Sequence, residues 1–257
     1  MCLIVFAWRV VPNVPLIAAA NRDEFYARPS APACPWPGHP QVTAGRDLRA
    51  GGSWMGIAQQ INQPITQQIT QADAGGARFA AITNIRGPQE RRSDAPSRGA
   101  LVADYLLGTL SAQDYVARIA PAAAAYNGFN LVLGDADTLI WYSNRGQDDA
   151  RNGKPLAPGI YGLSNALLDA AWPKVVKTKA QFASLLCQGA PDEAYFEMLA
   201  DTARVPDCRL PETGVPLDLE RVLSAVCIES PGYGTRSSTV VRLYAAGPAT
   251  LQEVLIR

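Results

Sequence analysis

The sequence predicts an α+β fold with two β-sheets held between helices. Three observations carry this. Short apolar segments rich in strand-forming residues open the chain and close it, the helical segments come in two later blocks, and no regular βαβ alternation is present. The order is strands, two helices, strands, three helices and strands, which places both termini in central strands of a layered domain. With 257 residues, 48% hydrophobic and 18% charged, the chain can bury a sizeable core, so residues 1–257 read as a single domain.

Residues 2–11 and 16–20 are apolar runs separated by Pro12-Asn13-Val14-Pro15, which predicts two strands joined by a turn. The second delivers Asn21-Arg22-Asp23-Glu24 at its end. Residues 28–40 are so rich in proline, which lacks a donor and restricts the residue before it, that they read as an irregular surface loop. Gly51-Gly52-Ser53-Trp54-Met55-Gly56-Ile57 resumes a strand, its glycines signalling a tight turn or a close backbone approach. Residues 59–76 are glutamine-rich and repeat an Ile-Thr-Gln phrase, as expected of an extended hairpin or an insertion.

Residues 79–86 predict a buried strand ending in polar residues. Ser97 is the expected N-cap of a helix over 99–107 and Ser111 of a second running to about 125. Strands follow at 129–134 and 138–144, with Asp135-Ala136-Asp137 as their turn, and another at 160–165. Helices are predicted near 171–186, 192–201 and 217–225, and strands at 236–244 and 251–256.

Several function classes are disfavoured. Lysine plus arginine equals aspartate plus glutamate at 23 each, and no basic run is interleaved with aromatics, so no nucleic-acid partner is expected. The five cysteines are scattered without CxxC spacing, which argues against a disulfide framework or a cysteine zinc site and for a reducing compartment. The single histidine, His39, reads as a loop residue, and one histidine leaves a Ser-His-Asp triad possible but not a histidine-cluster metal site. No metal or cofactor is expected. No apolar run approaches the roughly 20 residues of a membrane span, and the N-terminal segment lacks a basic region ahead of its apolar part. The expected location is cytoplasmic.

Cys2 follows the initiator methionine directly. Removal of Met1 would leave a residue with both a thiol and a free α-amine, whose reference pKa values of about 8.5 and 7.7 to 8.0 let the amine accept the thiol proton without a histidine. The alternative is a small apolar filler at the start of a buried strand. Arg22, Asp23, Asn84, Asn165 and Arg236 stand at apparent strand ends. Converging on Cys2, an arginine would stabilise its thiolate, Asp23 would hold the amine, and Asn84 and Asn165 would donate to an oxyanion. Separately, such asparagines are turn residues and such Arg–Asp neighbours are surface ion pairs.

A resemblance bears on this choice. Met1-Cys2-Leu3-Ile4, Ala20-Asn21-Arg22-Asp23-Glu24-Phe25 with Arg28-Pro29, Ala44-Gly45-Arg46-Asp47 and Gly51-Gly52-Ser53-Trp54-Met55-Gly56 closely resemble the NRDE family, whose eukaryotic members are called transport and Golgi organisation protein 2. Phe79-Ala80-Ala81-Ile82-Thr83-Asn84-Ile85-Arg86, Gly162-Leu163-Ser164-Asn165 and Gly234-Thr235-Arg236-Ser237-Ser238-Thr239 extend the match over nearly the whole chain, with residues 59–76 as an insertion.

The resemblance implies a four-layer αββα sandwich of the N-terminal-nucleophile (Ntn) hydrolase type. By analogy with penicillin V acylase and bile salt hydrolase, it also implies cleavage of a small non-peptide linear amide. Carried over by motif, Cys2 matches the nucleophile, Arg22 the neighbouring guanidinium, Asp23 the residue that orients the amine, with Glu24 as its substitute, Asn84 and Asn165 the asparagines near the oxyanion, and Arg236 the late arginine. The relatives also imply a rival function, in which the protein handles haem, lipid or acyl-CoA without cutting it. A structural domain with a decayed site is the third reading.

Overall fold

The computed structural model describes residues 2–59, 76–87 and 92–257, and the glutamine-rich segment expected as an insertion lies almost wholly outside them. The described chain is a mixed α/β structure with two six-stranded antiparallel sheets and five α-helices.

The first sheet is built on β1 (Cys2–Val11) and β2 (Val14–Phe25), a hairpin turned at Pro12 and Asn13. Asn13 adopts φ 61°, which asparagine tolerates better than most side chains. β9 (Gly159–Leu163) pairs with β1, and β11 (Tyr233–Leu243) pairs with β2. Beyond β11 lie β10 (Glu229–Ser230) and β12 (Thr250–Leu255). The N-terminal strand is therefore internal, as expected, whereas the C-terminal strand β12 is an edge. Its half-exposed pattern agrees with that position, while β1, buried on both faces, reads as a continuous apolar run.

The second sheet is a meander, in order β3 (Ser30–Trp36), β4 (His39–Asp47), β5 (Met55–Ala58), β6 (Arg78–Asn84), β7 (Phe129–Gly134) and β8 (Leu139–Ser143). This corrects the expectation of an irregular loop over 28–40. Prolines exclude a central strand, but β3 is an edge strand with register shifts after Ala31 and Pro35, where a missing donor costs no ladder bond. His39 accordingly begins β4 instead of lying in a loop.

Helices α1 (Gly99–Leu107) and α2 (Ala112–Ile119) cover the second sheet, packing Leu101, Tyr105 and Tyr115 against Ala80, Leu131 and Leu133. Ser111 caps α2 as predicted, accepting from the Asp114 amide at 3.1 Å, and a 3₁₀ turn continues to Ala125. Ser97 does not cap α1: the N-cap is Arg98, without a side-chain bond, and Ser97 contributes only its carbonyl, to Ala100. Helices α3 (Pro173–Cys187) and α4 (Asp192–Leu199) pack Val175, Phe182, Tyr195 and Leu199 against Leu3, Val5 and Ala19 of the first sheet. α5 (Leu217–Leu223) follows. Between the sheets, Ile4, Phe6 and Trp8 meet Phe79 and Trp141. Strand alternation thus assigns even-numbered residues of β1 to the space between sheets and odd ones to the helices.

Among the described residues no helix is long and apolar enough to cross a membrane.

Candidate functional site

Cys2 sits at the first position of β1, directly opposite Arg22 of β2. Both belong to the face that looks toward the second sheet. Asn21-Arg22-Asp23-Glu24 lies inside β2, not beyond its end, so its side chains alternate between faces. Arg22 turns inward, its guanidinium 3.9 Å above the Trp54 ring and donating to Ser30 Oγ at 3.1 Å. Asn21 turns toward the helices and ties down the carbonyls of Leu199 and Val226 at 2.8 and 2.9 Å. Asp23 is buried, and its Oδ1 accepts from the Thr235 hydroxyl at 2.7 Å.

An open cavity of about 510 Å³ lies where the ends of the two sheets meet, and Cys2, Arg22, Asp23, Trp54 and Asn84 are among the residues that line it. Glu24 and Arg28 face each other on its wall at 3.7 Å, with Arg28 also bound to Asp47 at 2.7 Å. Two close approaches shape this wall. Gly52 packs on the Gly99 backbone, where a Cβ would fall 2.3 Å from its carbonyl carbon, and Gly45 lies under Trp54, where a Cβ would fall 2.0 Å from the ring. The glycines thereby bring α1 and the indole against the cavity.

A buried polar seam supports the strand ends behind Cys2. Ser164 Oγ donates to the Cys2 carbonyl at 3.0 Å, Thr83 Oγ1 donates to the Ser164 carbonyl at 2.6 Å, and Asn130 Nδ2 donates to Thr83 Oγ1 at 3.1 Å. The seam links β9 of one sheet to β6 and β7 of the other and fixes their separation at this end.

The remaining expected residues fall in different places. Asn84 lines the cavity. Asn165 is fully buried and donates its amide to the Asn84 carbonyl at 2.9 Å, so it holds Asn84. Arg236 is the extra residue of a β-bulge, between Thr235 opposite Asp23 and Ser237 opposite Arg22. Its guanidinium donates to the carbonyls of Arg28, Phe25 and Tyr26 at 2.7, 3.2 and 3.3 Å, bracing the turn after β2.

Burial raises the Cys2 thiol above its ordinary value; the Asp23 carboxylate adds to this, while an Asp23 backbone hydrogen bond and the Arg22 charge oppose it. Burial likewise raises the Asp23 carboxyl, opposed chiefly by the Lys174 charge. Lys174 is itself buried, donates to the Leu223 carbonyl at 3.0 Å, and is pushed down to about 8 by desolvation. It was missed in the sequence because one lysine in an amphipathic helix reads as solvent-facing. A buried Arg86–Glu220 ion pair at 2.6 Å completes the cluster, Arg86 lying 4.6 Å over the Trp172 ring. Among the described residues no group of three histidine, cysteine or acidic side chains is placed to hold a metal.

A family model described as Transport and Golgi organisation 2 matches residues 1–256. The chain belongs to the Transport and Golgi organisation 2 family. It is similar to the Transport and Golgi organization protein 2 homolog of Bos taurus, 35% identical with 98% of this chain and 92% of the relative covered. The Homo sapiens homolog is 33% identical over the same shares, and the Drosophila melanogaster Transport and Golgi organization protein 2 is 30% identical over 94% and 87%. For a member of the Transport and Golgi organisation 2 family, the site described above is one thiol, one stacked guanidinium and one buried carboxyl gathered at a cavity mouth between two sheets.

Proposed function

We propose that the protein is an Ntn-type amidohydrolase, a four-layer αββα sandwich in which Cys2, exposed as the first residue by removal of Met1, cleaves a small non-peptide linear amide. The supporting observation is the pairing of Cys2 with Arg22 on the wall of an open cavity. In this reading the α-amine takes the thiol proton and the thiolate attacks the amide carbonyl carbon. The tetrahedral oxyanion collapses with cleavage of the C–N bond, and the ammonium returns its proton to the leaving amine. Water then hydrolyses the thioester, releasing the carboxylic acid and regenerating the thiol.

Arg22 stabilises the thiolate, and Trp54 fixes its guanidinium plane. Asp23, held by Thr235, orients the amine. Asn84 is the oxyanion donor, positioned by Asn165, and the Arg236 bulge sets Thr235 and Ser237 opposite Asp23 and Arg22.

The test is the intact mass of untagged protein before and after brief thiol alkylation, with labelled peptides quantified. Cys34, Cys187 and Cys208 are exposed, so the reading rests on the relative rate at Cys2. Loss of Met1 with faster labelling of Cys2 than of the other four cysteines is expected, as is loss of amide turnover in Cys2→Ala. Turnover by Cys2→Ala equal to the parent would overturn the reading.

The relatives' names, which describe transport and Golgi organisation, favour a second, non-catalytic reading. There the cavity holds haem, lipid or acyl-CoA intact. A saturable spectral or thermal shift with haem or acyl-CoA supports it, and none with either removes it.

A further inference from the structure

A second cavity, of about 330 Å³, lies between the first turn of α3 and the chain after α4 and shares no lining residue with the Cys2 cavity. Its charged lining residues are Lys174, Lys177, Arg204, Arg209 and Asp201, four cations against one carboxylate. The one acid of the lining among the described residues, Asp201, is ion-paired with Lys177. Lys174 is almost wholly buried at its inner end, and Arg204 and Arg209 make no ion pair among the described residues.

The arrangement opposes the fold's own electrostatics. The first turn of α3 carries no acidic residue and no side-chain cap, yet two lysines stand in or beside it, at the positive end of the helix dipole. Three further features of the wall suit an oxyanion. The cations come from two chain segments and converge on one concavity, the guanidiniums make no ion pair among the described residues and can form paired bonds to oxygen, and the positive end of the α3 dipole lies beside them. With Lys177 held by Asp201, an apolar or cationic guest would leave the Arg204 and Arg209 charges unneutralised.

We propose that this cavity binds a phosphoryl-type oxyanion, as the free ion or as the end of a phosphate ester. Asp201 positions Lys177, Arg204 and Arg209 clasp the anion from the opposite wall, and Lys174 supplies charge from below. The site is separate from the Cys2 cavity and does not depend on catalysis there.

The experiment is calorimetric titration of the full chain at fixed ionic strength, set with chloride, using inorganic phosphate and a nucleoside monophosphate as separate probes. Saturable binding of phosphate is expected if the free ion is the ligand, and of the monophosphate alone if the ester is. The exposed pair Arg204→Gln with Arg209→Gln should weaken the bound probe by about tenfold or more, with the circular dichroism and the Cys2 labelling rate unchanged. Absence of saturable heat with both probes overturns the proposal, as does equal affinity in the double variant. Because the Cys2 chemistry is read separately, failure of either idea leaves the other standing.

Discussion

Thr235 both donates and accepts at the heart of the site: its hydroxyl hydrogen goes to Asp23 Oδ1 at 2.7 Å, and its oxygen takes the Ile228 amide hydrogen at 2.8 Å. The incoming amide fixes the hydroxyl as a donor to Asp23. Thr235→Val leaves a buried carboxyl oxygen and a buried amide without this partner, a loss of about 1 to 3 kcal/mol in unfolding by urea. Thr235→Ser keeps the hydroxyl and should retain most of it. Equal stability of the valine and serine variants would deny the bond its role.

Arg22 acts on Cys2 by charge and on Trp54 by stacking. Arg22→Gln removes the cation and should move the midpoint of Cys2 alkylation against pH upward. Gly45→Ala drives a methyl into the indole and should loosen Arg22 without touching the thiol. A rise in Cys2 midpoint smaller than that of Arg22→Gln, with lost tryptophan fluorescence anisotropy, is the expected pattern.

Lys174 makes stability depend on alkaline pH. Its folded value, about 8, lies below the ordinary 10.5, so between these values the unfolded chain binds more protons and stability rises with pH. Below about 8 both states are protonated and the cost of burying the charge is fully present. Lys174→Met should flatten the rise in melting temperature between about pH 8 and 10. An unchanged slope would show that Lys174 is solvated.

Arg86 and Glu220 form an ion pair whose side chains are each only 4% exposed. Arg86→Met alone strands a buried carboxylate and should cost about 3 to 5 kcal/mol in chemical unfolding. Arg86→Met combined with Glu220→Leu should recover most of that loss. A double variant no better than the single would mean that Arg86 contributes through Trp172 instead.

Much of this architecture was readable where one signal dominates. Strands β1, β6 and β7 are buried on both faces and read as predominantly apolar segments, and Ser111 announced α2 by its side chain. The proline-rich hairpin β3–β4 was not legible, because proline's meaning depends on whether a strand is central or an edge, which is a property of the sheet. At the site, Cys2, Arg22 and Asp23 were found by motif, but their opposite faces follow from β2 continuing through them. The bulge at Arg236, the contact of Asn165 with Asn84 and the burial of Lys174 are long-range facts with no local mark in the chain.

The two-residue connection at Pro12 and Asn13 fixes which residue of β2 faces Cys2, and one extra residue near Arg9 is absorbed there as a bulge with φ 50°. The chemistry at one end of the sheet is therefore indexed by a hairpin at the other. Adding or deleting a single residue in that distant turn exchanges Arg22 for a neighbour of opposite orientation, unless a compensating bulge appears. Chain length between positions 2 and 22 thus sets the register of the proposed site, and loop grafting at residues 12–13 would separate Cys2 from Arg22 without changing either side chain.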